Sequence, residues 1–136
     1  MRVFLECYKT PDEKKDTFKV VDPSLVVWRG QHFFIYQDEE YEEYDEEFDE
    51  TFTTEPFYHM THISSGRKMF PSTEHKDRLI EIAQDMDTWD TDWAALRQHA
   101  RDRRLNGNAV IEMSASVKSF MERMKPYFQE IARQRV

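Results

Sequence analysis

At 136 residues, 39% of them hydrophobic and 14% aromatic, the chain has the size of one domain with an ordinary core, and its aromatic content excludes global disorder. A net charge of -8 disfavours nonspecific binding to nucleic acid or an anionic membrane and favours basic partners. The single Cys7 excludes an internal disulfide framework, and no stretch approaches the roughly 18 apolar residues of a membrane span, so a reducing, cytoplasmic setting is expected.

The chain opens on MRVFLECYKT, where Glu6 and the lack of a long apolar region speak against a signal peptide. Its β-branched and aromatic residues predict a strand over 2–8, with Cys7 as a small core residue. Thr10 to Asp16 reads as a polar turn broken by Pro11. Strands are predicted over 17–21, 25–29 and 32–36. Gly30-Gln31 is the tight turn between the last two, a hairpin of the type II′ kind.

Asp38 to Glu50, DEEYEEYDEEFDE, is the most unusual stretch. Ten of its thirteen residues are carboxylates, so the chain outside it is net +2. Two conformations are open. Tyr41, Tyr44 and Phe48 fall at i, i+3 and i+7, one face of a helix. Five like-charge i,i+4 pairs oppose that helix by roughly 1–2.5 kcal/mol in total. Burying three aromatics returns about 1.5–3 kcal/mol each, provided that face docks on the domain. The alternative is a mobile acidic loop. Only the compact helix approaches the charge density of duplex DNA. The run lacks the glycine and the ligand spacing of a calcium loop.

Residues 51–54 and 57–63 read as strand interrupted near Pro56, which makes the acidic run an insertion between neighbouring strands. Ser64-Ser65-Gly66-Arg67-Lys68 closes the β-rich half. Small residues followed by cations can cradle a phosphate, but P-loop spacing is absent and a plain surface turn is expected.

From Pro71 the apolar period changes from 2 to 3.6. Helices are predicted over 73–86, capped by Ser72 or Thr73, and over 91–105, ended by Asn106-Gly107. Trp89 and Trp93 extend the apolar stripe as core or interface residues. The last segment alternates like a strand over 109–117 yet also fits a helix capped by Asn108, which is the favoured reading, with a kink or fresh turn at Pro126. The fold class is therefore α+β, one domain over 1–136: an antiparallel sheet from the N-terminal half packed against two or three C-terminal helices.

No nucleophile elbow, glycine-rich nucleotide loop or zinc spacing is present, so no cofactor, metal or catalytic set is implied. His59 and His62, three apart on a strand, face opposite sides and cannot readily share an ion. Arg97, Arg101, Arg103 and Arg104 form a basic cluster, expected to answer the acidic run within one chain or between two. The leading expectation is a non-enzymatic binding protein. Glu39, Glu40, Glu42, Glu43, Glu46, Glu47 and Asp49 would steer it onto a basic partner, with Tyr41, Tyr44 and Phe48 as anchors. That partner is a nuclease, toxin or DNA-binding protein, met by a DNA-imitating inhibitor or by an immunity protein or antitoxin, without direct nucleic-acid binding. The competing classes are a small enzyme pairing His59 or His62 with a carboxylate of the run, and a homodimeric chaperone-like assembly protein using Trp89, Trp93 and the Met-rich last helix.

Overall fold

The computed structural model describes residues 9–12, 17–38, 42–53, 56–107 and 110–134. The strand expected over 2–8, with Cys7, lies outside them, as does the Asn108 cap. Among the described residues, seven strands precede three α-helices: β1 (Lys9–Asp12), β2 (Thr17–Val20), β3 (Val26–Arg29), β4 (Phe33–Gln37), β5 (Glu42–Asp45), β6 (Glu50–Thr53), β7 (Tyr58–His62), α1 (Lys76–Met86), α2 (Trp93–Leu105) and α3 (Ala115–Arg133). The α+β arrangement read from periodicity is the one observed.

The strands form three antiparallel sheets rather than one: β1-β2, β3-β4-β7 and β5-β6. The first corrects the expected turn for Thr10 to Asp12, while residues 13–16 lie outside the described residues. Thr10, Pro11 and Asp12 pair with Lys19, Phe18 and Thr17. In a two-stranded sheet each strand has an open edge, where proline's missing N–H breaks no ladder bond.

β4 is the strand on which the rest is built. It pairs antiparallel with β3 on one side and with β7 on the other. Phe33, Phe34 and Ile35 are all fully buried, because both of its faces are covered. Phe33 and Ile35 join the main core beneath the helices, with Met60, Leu79, Ile82, Met86, Phe120 and Ile131. Phe34 faces the other way, into a smaller cluster with Val21, Val26, Tyr36 and Ile63.

The β3–β4 hairpin is as expected in place but not in chemistry. Arg29 pairs with Phe34, and the Gly30 N–H donates to Phe33 O at 2.8 Å, so Gln31 and His32 are the central turn residues. Gly30 does not have positive φ, so this is not the II′ turn. Glycine is required there by space: a Cβ would lie 2.4 Å from Trp28 Cη2 and 2.6 Å from Asp87 Oδ2. Asp87, just past the end of α1, accepts from the backbone N–H of Gln31 at 2.9 Å and of His32 at 2.7 Å. One carboxylate thus ties the turn to the helix layer.

The helices begin later than their patterns suggest. Thr73 is not a helical residue: it forms a bridge with Tyr58, exchanging backbone hydrogen bonds of 2.7 and 3.1 Å. Its hydroxyl accepts from His75 N and donates to Gln134. α1 therefore starts at Lys76. Asp92 caps α2, accepting from Ala95 N at 3.1 Å, and Gly107 takes the left-handed conformation just beyond its end. Residues 111–114 are neither strand nor helix, and Ser114 caps α3 in place of Asn108. The last helix continues through Pro126 instead of restarting. Pro126 and Glu122 are both exposed residues on the outer side of this helix.

Candidate functional site

The acidic stretch is neither of the two conformations expected for it. From Glu42 it is strand, and it folds as the β5–β6 hairpin with a turn at 46–49. The register sets Glu42 opposite Thr53, Glu43 opposite Phe52 and Tyr44 opposite Thr51. Only Asp45 and Glu50 oppose one another as like charges. In the hairpin the neighbours of these carboxylates are their cross-strand partners instead of the residues four places along a helix. The helix would have needed a docked aromatic face, and that face does not form: Tyr44 is 58% exposed and Phe48 66%. Glu39, Glu40 and Tyr41 lie outside the described residues.

The turn is built from its own acids. Asp45 Oδ1 accepts from the N–H of Glu47 at 3.0 Å and of Phe48 at 3.4 Å, the short-range cap for which aspartate is suited. Asp49 takes φ 52°, a conformation aspartate tolerates better than most residues, and accepts a hydrogen bond from the Tyr44 hydroxyl. That bond raises the tyrosine pKa. Glu46, Glu47, Asp49 and Glu50 are exposed around the tip.

The ion pairs among the described residues are Arg78 with Glu81 and Glu130, and His59 with Asp38. Asp45 to Glu50 join none of them. The expected intramolecular answer from Arg97, Arg101, Arg103 and Arg104 is therefore not made by this part of the hairpin.

The two histidines of β7 do face opposite sides. His59 stacks on Tyr36 at 4.8 Å, and its Nε2–H donates to Asp38 Oδ1 at 2.7 Å, while its Nδ1 is buried with no hydrogen-bond partner. Burial lowers its pKa against the opposing pull of Asp38. The Asp38 side lines a cavity of about 270 Å3 with Lys19, Asp22 and Tyr36.

His62 is 2% exposed and lies beneath the helix layer, 5.6 Å from Phe33 and 5.8 Å from Trp93 between ring centroids. Burial pushes its pKa down to about 4, so it is neutral at pH 7. Its Nδ1 is hydrogen-bonded to the Ser65 hydroxyl at 2.8 Å, and its Nε2 lies 3.4 Å from Ser64 Oγ. This serine–histidine contact was not read from sequence, although the three residues stand within four positions. A general base with so low a pKa is weak at neutral pH, and Ser65 Oγ is also occupied by the Arg67 N–H at 3.2 Å.

A second group assembles beyond these serines. Ser64 and Ser65 share a cavity of about 420 Å3 with Arg97, Arg101, Arg104 and Leu105 of α2. The sequence presents the serine turn and the arginine cluster as two unrelated features some thirty residues apart. Trp89, Trp93 and Met124 are packed within the chain's own core: Trp89 against Phe120 and Tyr127, and Trp93 on His32 at 4.1 Å. No helix among the described residues is long and apolar enough to cross a membrane. Comparison with known protein families, characterised proteins and solved structures gives no match.

Proposed function

We propose that the chain is a non-enzymatic binding protein whose acidic hairpin docks on the basic surface of a nucleic-acid-handling partner. One observation carries this reading. The hairpin tip exposes Tyr44 and Phe48 among four exposed carboxylates that form no ion pair among the described residues. Large apolar rings left in water beside unopposed charge supply what a protein interface uses: carboxylates steer the encounter, and the aromatics give dry contact.

Both settings fit this hairpin: an inhibitor that imitates DNA, and an immunity protein or antitoxin shaped to one basic toxin. The test compares wild type with a Glu46→Gln, Glu47→Gln, Asp49→Asn variant as bait in extracts of the source cell. A basic partner retained by wild type at low salt, released toward about 0.5 M salt as screening shortens the range of attraction, and lost to the variant supports the reading. Capture indifferent to both salt and substitution overturns it.

A second reading, acid–base catalysis, is favoured by the His59–Asp38 contact of 2.7 Å, in which Asp38 is the first carboxylate of the run. It stands beside a cavity whose wall includes Lys19 and Tyr36. His59→Ala separates the two: it abolishes turnover in an enzyme and leaves the capture experiment unchanged in a binding protein.

A further inference from the structure

We propose that the cleft between the Ser64-Ser65 turn and α2 binds a small phosphomonoester, with Arg97, Arg101 and Arg104 holding the phosphate and Leu105 contacting its organic group. Arg97, Arg101 and Arg104 fall at i, i+4 and i+7, so one face of α2 carries all three toward the cavity they share with the serines. Guanidinium forks match phosphate oxygens in pairs, which lysines do not. Among the described residues, Arg97 and Arg101 form no ion pair.

The opposite wall supplies neutral donors. Ser65 is committed to His62 and to the Arg67 N–H. Ser64 Oγ lies 3.4 Å from His62 Nε2, and a hydroxyl both donates and accepts, so it is a neutral group able to turn its hydrogen toward an acceptor in the cleft. Apolar surface lies beside the cations: Ala100 forms part of the lining and Leu105 is 74% exposed. A cavity of about 420 Å3 falls within the range that encloses small molecules.

The alternative anion, a nucleic-acid strand, fits less well. The three arginines span only about 10 Å of helix, enough for one or two phosphates, and Asp102 stands on the same helix. A net charge of -8 repels a long polyanion at distance, while a compact dianion is held by contact. Electrostatics around the cleft agree with this reading: His99 is pushed down by burial and then by Arg67 and Arg103, so this end of the molecule concentrates positive charge.

The test titrates the full chain with inorganic phosphate, phenyl phosphate and a short single-stranded oligonucleotide lacking terminal phosphate, at constant ionic strength. Amide and arginine Nε–H resonances are followed for wild type and for the Arg97→Gln, Arg101→Gln variant. Both substitutions are on exposed positions, and a melting curve verifies the variant's fold. The expected result is saturable shifts at Ser64, Ser65, Arg97 and Arg101. Phenyl phosphate should bind tighter than inorganic phosphate, and the variant should bind phenyl phosphate at least about tenfold more weakly, a loss of one factor of ten in Kd. No saturation with either phosphate, equal binding by the folded variant, or an oligonucleotide that binds tighter than phenyl phosphate overturns the proposal.

Discussion

β4 and the β5–β6 hairpin are both extended, both antiparallel and both rich in aromatic residues, yet they place those residues in opposite surroundings. Phe33 and Phe34 on β4 are fully buried, whereas Phe48 and Tyr44 on the hairpin are 66% and 58% exposed. The difference is in what lies above each strand. β4 is central in its sheet, with helices over one face and the Val21 cluster over the other. Removing its aromatics from water stabilises the fold. The hairpin has two strands, and with their rings exposed Tyr44 and Phe48 add little to folding. These exposed rings on a charged element are the feature on which the proposed docking rests.

The comparison is broken most directly at its buried end. Phe33→Ala should lower the unfolding free energy by about 3–5 kcal/mol in denaturant titration, the cost of deleting a large ring from a filled core. A loss below about 1 kcal/mol would mean that the β4 face is not packed as described.

Next in size is the pH response of His62. Its folded pKa of about 4 lies below the unfolded value near 6.5. The unfolded chain binds the proton first as pH falls, so the stabilisation is complete above about pH 6.5 and is lost as pH falls through 4. The 2% exposure of the side chain means little screening by water. Stability should drop by about 3 kcal/mol across that window, and the drop should flatten in His62→Gln. Denaturation midpoints at half-unit pH steps measure it. An identical acid limb in the variant would place the titration elsewhere.

Asp87→Ala should cost about 1–3 kcal/mol, because it strips the acceptor from two turn N–H groups. Hydrogen exchange should accelerate at Gln31 and His32. Exchange unchanged at both amides would remove Asp87 as the tie between the turn and the helices.

The smallest effect belongs to the exposed end. Phe48→Ala should shift stability by no more than about 0.5 kcal/mol, as surface substitutions do, while weakening capture of the partner. A large loss of stability would assign the ring to the fold instead.

Local chemistry made much of the fold legible. The alternating apolar runs around Gly30 located the β3–β4 hairpin, and the change of period after Pro71 located the helices. Pro11 misled, because a breaker signal does not distinguish a turn from the open edge of a two-stranded sheet. Thr73 has the composition of a cap, but Tyr58 holds its backbone in a bridge. The acidic run was undecidable locally: helix repulsion and aromatic burial differ by only a few kcal/mol, and the sign depends on whether a surface exists for the rings to cover. Of the candidate sites, the carboxylates were plain in the sequence. The His62–Ser65 contact, although local, required the conformation of the turn after β7 to be known.

What the amino-acid order determined alone was the α+β class, the concentration of negative charge between residues 38 and 50, and the amphipathic stripes of the helices. These depend on neighbours within a few positions. Tertiary structure decided which aromatics are dry, that Asp87 reaches the Gln31-His32 turn, that Asp38 meets His59, and that a serine turn and an arginine helix share one cavity. Each of these joins groups distant in sequence, and no periodicity along the chain records which surfaces meet once the backbone has folded.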